Sequence, residues 1–282
     1  MATFYNQASI NLGGAVINSN VTTGEITSAL TLTKTAATSE YGQGEGVTYV
    51  ISIVNSGLSE YSGVTLTDNL GAFEVGTQNI IPLTYVTGSV LYYLDGVLQT
   101  APAVTAGDTL AIGPLTIPAG SNLTIIYETR ANSTAPIEAG SSITNTVTLS
   151  GGSCDASDTA TVPVREEPEL TIAKSVCPQS VNCAGEISYT IVIQNLGNSA
   201  VVATDNLIVN DTFDPILNNI AVTLDGVALV EGTGYTYDTA TGEFATVGGT
   251  VTVPAATYVR DPQTGIISTN PGVAVVTITG TV

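Results

Sequence analysis

The chain of 282 residues holds two lysines, Lys34 and Lys174, among only five basic residues. Each closes the same kind of segment, Leu30-Thr31-Leu32-Thr33-Lys34 and Leu170-Thr171-Ile172-Ala173-Lys174. Side chains alternate between the two faces of a strand, so Lys34 continues the face of Leu30 and Leu32. By the same parity Asp68 continues the face of Val64 and Leu66, and Asn145 that of Val147 and Leu149. All three polar groups are therefore expected to point into a core. Burial disfavours an ammonium and favours the neutral, nucleophilic amine. A buried carboxyl tends toward its protonated form and can polarise an amide carbonyl. Attack of the Lys34 amine on the Asn145 amide, assisted by Asp68, would release ammonia and leave an isopeptide cross-link. The plain alternative is a strand-end lysine with its amine in solvent, loosely paired with an aspartate.

Lys174 shares the parity of Leu170 and Ile172, and Asp211 that of Leu207 and Val209. No matching asparagine follows them. Asn6, with the parity of Ala8 and Ile10, aligns with Asn145 instead. The expected second bond joins Asn6 of one subunit to Lys174 of the next.

The elements that must hold these residues are strands. The chain is rich in β-branched residues, and these pack well on pleated sheets. Runs such as Val47–Ile53 and Ile187–Ile193 alternate apolar and polar residues, and Gly, Asn, Asp and Pro separate them. Tyr49, Ile51, Ile53, Asn55 and Gly57 match Tyr189, Ile191, Ile193, Asn195 and Gly197 at the offset that relates the two lysines. Arg165-Glu166-Glu167-Pro168 reads as a linker. The expected architecture is all-β: two tandem immunoglobulin-like β-sandwiches at 26–165 and 168–282, preceded by a hairpin at 1–25. By this alignment the second domain lacks the final hairpin of the first, and the hairpin at the start of the chain resembles the missing one. Asn6, Ala8 and Ile10 would form a donor strand for a neighbouring copy; the alternatives are a disordered or self-packing tail, closure into a ring, or folding back within one chain.

Leu-Thr-x-x-Lys, Tyr-x-Ile-x-Ile-x-Asn-x-Gly, Val-Thr-Leu-Thr-Asp and Asn-Thr-Val-Thr occur in this order in the first repeat, and the second copies most of the set. The set resembles a repeat domain of bacterial and archaeal surface proteins, catalogued as the eleventh domain of unknown function. The resemblance implies an immunoglobulin-like fold in a cell-surface, stalk or fibre setting. A lysine on the first strand, an asparagine on the last and an acid between also resemble the intramolecular isopeptide domains of Gram-positive pilins. Ala2-Thr3-Phe4-Tyr5-Asn6-Gln7-Ala8 looks like the start of leaderless relatives in spore-forming bacteria. These resemblances imply an extracellular protein assembled on a cell or spore surface; the hairpin left for a neighbouring copy implies that the chain polymerises with itself.

Composition narrows the alternatives. A formal net charge of −19 opposes binding to phosphate backbones and anionic membranes. No run approaches a membrane span, and the first residues have neither a basic start nor an apolar core of a leader. With no histidine, Ser-His-Asp and Cys-His catalysis are excluded, and no cofactor or metal is expected. Asp155 and Asp158 read as a solvated turn rather than a calcium loop. The rival function is a surface adhesin or carbohydrate-binding module, with Tyr92-Tyr93 or Tyr235-Thr236-Tyr237 as an aromatic platform; no receptor is indicated. Cys177 and Cys183 are spaced to close a small loop, leaving Cys154 free or paired with another chain; three unpaired thiols is the alternative.

Overall fold

The structure is a computed structural model describing residues 2–26, 29–151 and 155–282. It is all-β, with two immunoglobulin-like sandwiches in tandem after an N-terminal hairpin arm. The chain divides into two compact units. Unit 1 comprises Met1–Phe73, Ile81–Asn132 and Ile143–Val162; unit 2 comprises Glu74–Ile80, Ser133–Ser142 and Pro163–Val282.

The assignment of Ser133–Ser142 to unit 2 follows from its hydrogen bonds. Asn198 Nδ2 donates to the carbonyls of Ile137 and Arg165, Arg260 donates to that of Thr134, and the Gly140 N–H donates to Glu166.

Unit 1 is two layers, one of six strands and one of five. One sheet runs Val97–Gln99, Leu91–Leu94, Asn122–Ala131, Gly46–Asn55, Leu30–Ala36, and Leu83–Tyr85 also pairs with Asn122–Ala131. Lys34 lies on its edge strand. The facing sheet runs Val104–Ala106, Leu110–Ile117, Tyr61–Asp68, Ser142–Ser150, Ala156–Pro163. Inward-facing Leu30, Leu32, Tyr49, Ile51, Ile53, Val64, Leu66, Ile125, Val147 and Leu149 fill the space between them. Strict alternation produces this core: Leu30–Ala36 is buried at every second residue.

Unit 2 repeats the first sheet in the same order: Val227–Ala228, Asn218–Leu224, Gly272–Thr281, Glu186–Asn195, Leu170–Cys177. Its facing sheet differs. Among the described residues Tyr235–Tyr237, Glu243–Thr246 and Asn210–Thr212 are joined there, so the Asp211 strand has a partner on one edge alone among them. The Asp68 strand in unit 1 is paired on both edges. The Lys174 strand feels the difference. Leu30 and Leu32 are 5% and 8% exposed, whereas their counterparts Leu170 and Ile172 are 40% and 66% exposed.

The arm is a hairpin in two pieces. Ala2–Asn6 pairs with Thr22–Ile26, and Ser9–Leu12 with Ala15–Asn18. Every side chain from Thr3 to Thr23 is exposed, including Phe4, Ile10, Leu12 and Ile17. An isolated two-stranded hairpin is marginal in water, and this one carries an apolar face that unit 1 does not bury.

Candidate cross-linking sites

The Lys34 site crosses the sandwich of unit 1. The pairing register places Lys34 beside Ile51 and Ala36 beside Tyr49, and sets Tyr49 opposite Tyr127 on the next strand. In the facing sheet Asp68 stands opposite Val147, so Asn145 is its diagonal neighbour on the inner face. Lys34, Asp68 and Asn145 are all buried.

Asp68 is held by three donors. Lys34 Nζ and the Tyr127 hydroxyl both donate to Oδ2, and the Leu70 N–H donates to Oδ1 at 2.8 Å. Lys34 Nζ also lies 4.6 Å from the centroid of the Tyr49 ring, which stacks on Tyr127. Burial pulls the Lys34 ammonium from 10.5 down to about 8, against the opposing influence of Asp68 and Asp158. Burial pushes the Tyr49 and Tyr127 hydroxyls up, and the Asp68 charge adds to it. Both phenols therefore stay protonated at neutral pH.

Asn145 is set up asymmetrically. Its Oδ1 accepts the Gly71 N–H at 3.1 Å, while its buried Nδ2 makes no well-formed hydrogen bond among the described residues and only bears weakly on the nearby Tyr49 and Tyr127 hydroxyls, opposing the rise of their pKa. A buried polar group left unpaired is costly. In an attack on Cγ, negative charge develops on Oδ1, where a backbone donor already points. Nδ2 is the atom that would leave. Gly71 adopts φ +71°, and a Cβ there would meet the Ile143 side chain at 2.6 Å, so the turn requires glycine.

The Lys174 site has the same beginnings and an open side. Lys174 is in register with Ile191, as Lys34 is with Ile51. Its Nζ lies 2.5 Å from Asp211 Oδ2, 4.5 Å from the Tyr189 centroid and 5.1 Å from that of Phe213. The contact is poorly aligned: Asp211 Oδ2 accepts no hydrogen bond among the described residues. The Lys174 and Asp211 side chains are 39% and 14% exposed, against 0% for both members of the first pair. Where Tyr127 pairs with Tyr49, Ile278 pairs with Tyr189. The second donor to the carboxylate is thus missing by sequence. Asn6 is on the exposed arm, opposite Thr22.

Tyr127 escaped the sequence reading, although its parity with Leu123 and Ile125 marks it as a core hydroxyl. Asp158 escaped as well: its Oδ2 accepts the Lys34 backbone N–H at 2.6 Å, so it is tied into the sandwich and not a free turn residue.

Two other expectations change. The Cys177–Cys183 loop is not closed; both thiols are free and exposed. Cys177 ends its strand opposite Ser188, and the following turn is pinned by Ala184 to Val282 and Gly185 to Asn182, with the thiols outward. Cys154 lies outside the described residues. Tyr235 and Tyr237 form no platform. Tyr235 packs on Phe244, and Tyr237 packs on Phe213 and hydrogen-bonds both backbone groups of Leu217. Tyr92 and Tyr93 are adjacent on one strand and so face opposite ways. Among the described residues no group of acidic, histidine or cysteine side chains is placed to hold a metal, and no helix is long and apolar enough to cross a membrane.

No protein-family profile matches the chain, and no curated protein matches its sequence. Solved structures resemble it in arrangement. BcpA, the major pilin subunit of Bacillus cereus, is 13% identical with a TM-score of 0.36, over 96% of this chain and 73% of that one. The C-terminal fragment of the major pilin GBS80 of Streptococcus agalactiae is 14% identical with a TM-score of 0.34, over 86% of this chain and 91% of that one. The pilus backbone protein RrgB of Streptococcus pneumoniae is 13% identical with a TM-score of 0.33, over 86% of this chain and 55% of that one. Likeness at this level leaves function to be argued from the chain's own residues.

Proposed function

We propose that the chain is a structural subunit of an extracellular fibre, assembled head to tail by strand donation and locked by lysine–asparagine isopeptide bonds. One observation carries the reading. Among the described residues the Asp211 strand is paired on one edge alone, Asp211 meets Lys174 on the strand that exposes Leu170 and Ile172, and the chain carries an exposed hairpin that matches the terminal hairpin of unit 1.

The occupant is a second copy. Asn6, Ala8 and Ile10 on the arm align with Asn145, Val147 and Leu149, which puts Ala8 opposite Asp211 as Val147 stands opposite Asp68. Covering Leu170 and Ile172 contributes about 1–2 kcal/mol each, and the strand edge gains backbone hydrogen bonds. The patch on one copy differs from the patch on the next, so the contact is heterologous and builds filaments when it does not close.

The chemistry is the same in both places. The neutral lysine amine attacks the asparagine Cγ, the bond to Nδ2 breaks, and Nδ2 departs as ammonia with the amine's proton. Asp68 or Asp211 relays that proton. In unit 1 the partners are Lys34 and Asn145; between copies they are Lys174 and Asn6. The subunit is not an enzyme in any other sense, since each lysine reacts once.

Electron microscopy of the purified chain, with and without residues 1–24, tests the assembly. Fibres from the full chain and none from the shortened one are expected. Fibres from both would overturn strand donation, as would a full chain that stays monomeric with its arm folded onto its own unit 2. Intact mass then tests the bond: one ammonia is lost per cross-link, and boiling in detergent and reductant leaves a ladder of oligomers. Release of monomers at unmodified mass would remove the covalent part.

A further inference from the structure

Unit 1 ties its two sheets together at their open side. Asp158, on the second strand of the terminal hairpin, reaches over to the edge strand of the other sheet and accepts the Lys34 N–H. Edge strands present outward backbone donors of this kind. The matching donor in unit 2 is the Lys174 N–H, and no side chain among the described residues accepts it.

The arm has a residue at the matching place. In unit 1 the hydroxyls of Thr144 and Thr161 meet at 3.0 Å across the hairpin, which sets Asn145 opposite Ala160. Asp158 lies two residues before Ala160. In the arm Asn6 stands opposite Thr22, and two residues before Thr22 is Asn20. The arm also bulges at this point. Its register passes from Asn6 opposite Thr22 to Ser9 opposite Asn18, with one extra residue on the second strand. Bulges re-aim side chains, and Asn20 is exposed.

We propose that Asn20 of one copy accepts the Lys174 N–H of the next, and so fixes the register in which Asn6 meets the Lys174 amine. The inference rests on the head-to-tail reading above. Asn20 is a positioning residue: its amide oxygen has the reach of the Asp158 carboxylate without the charge.

The test compares the full chain with Asn20→Ala and Asn20→Asp. The readout is the rate at which boil-resistant oligomers accumulate, followed across pH. Asn20→Ala is expected to slow accumulation about tenfold, the loss of one hydrogen bond. Asn20→Asp should restore the rate and move its pH midpoint upward. A carboxylate added beside Lys174, which already faces Asp211, Tyr189 and Phe213, holds the ammonium charged to higher pH. A residue that only helped the arm to fold would not move that midpoint. If fibres form without a covalent bond, the same comparison is read on their dissociation after dilution. Parent-like rates and midpoint in both variants would overturn the role of Asn20 and leave strand donation standing. A parent chain that forms neither fibres nor oligomers would overturn both.

Discussion

Unit 1 and unit 2 carry the same lysine–aspartate pair on the same strands, yet only one pair is enclosed. Around Lys34 the sandwich is complete, and the amine is buried with a carboxylate, two phenols and an amide. Around Lys174 the amine and carboxylate meet beside an unpaired edge. Desolvation makes a lysine nucleophilic, so the difference is between a site enclosed within one chain and one that, on the proposed reading, a second copy would complete.

The comparison breaks most visibly at the lysines. Lys174→Ala should abolish boil-resistant oligomers altogether. Lys34→Ala should leave the oligomers intact while each subunit retains the mass of one further ammonia. Loss of the ladder in both variants, seen by denaturing gel and intact mass, would erase the distinction between an internal and an external bond.

Next in size is the core. Leu32→Ala should destabilise unit 1 by about 2–5 kcal/mol in denaturant titrations. Ile172→Ala should cost under about 1 kcal/mol in a chain lacking residues 1–24, because its side chain is already in solvent. Equal losses would mean that the edge beside Ile172 is covered within one chain.

The pH dependence follows. In an Asn145→Ala chain the amine of Lys34 stays free, with its pKa lowered by burial from 10.5 to about 8. Between these values the unfolded chain binds more protons than the folded one, so stability rises with pH. Below about 8 both states hold the proton and the contribution is flat. The gain from pH 8 to 9.5 should be about 2 kcal/mol, and Lys34→Met should flatten it. A slope unchanged by that substitution would assign it to other groups.

The smallest effect concerns the acid's second donor. Tyr127→Phe should slow closure of the unit 1 bond by about tenfold, the loss of one hydrogen bond to Asp68, when intact mass is followed in time. Ile278→Tyr should speed the bond between copies by less, since the Tyr189 side of that site is more open. No change in either variant would reduce Tyr127 to a packing residue.

Much of this was legible in the sequence. Parity alone placed Lys34, Asp68 and Asn145 on inner faces, because a side-chain period of two leaves a residue no other choice within an unbroken strand. The offset between Lys34 and Lys174 revealed the repeat. What parity could not give was contact across the core. Tyr127 and Asp68 are far apart in the chain and belong to different sheets, and their meeting depends on how the sheets face each other. The Asp158 bond was hidden for the same reason. Gly71 was invisible because its role is played by a backbone N–H, which any residue name conceals. The cysteine loop was not legible because spacing alone does not set the distance between two thiols: Cys177 and Cys183 are both free and exposed here.

Both lysines sit on the first strand of their repeat, and this decides which residues would carry tension. In a bonded fibre, force entering a subunit at Asn6 runs along the chain to Lys34, crosses to Asn145, continues to Lys174 and leaves through the neighbour's Asn6. The residues between Lys34 and Asn145 are bypassed, as are those after Lys174. Most of each sandwich then hangs beside the load path, which enters the folded units only along Leu30 to Lys34, the unit 1 hairpin from Asn145 to Pro163, and the strand from Leu170 to Lys174.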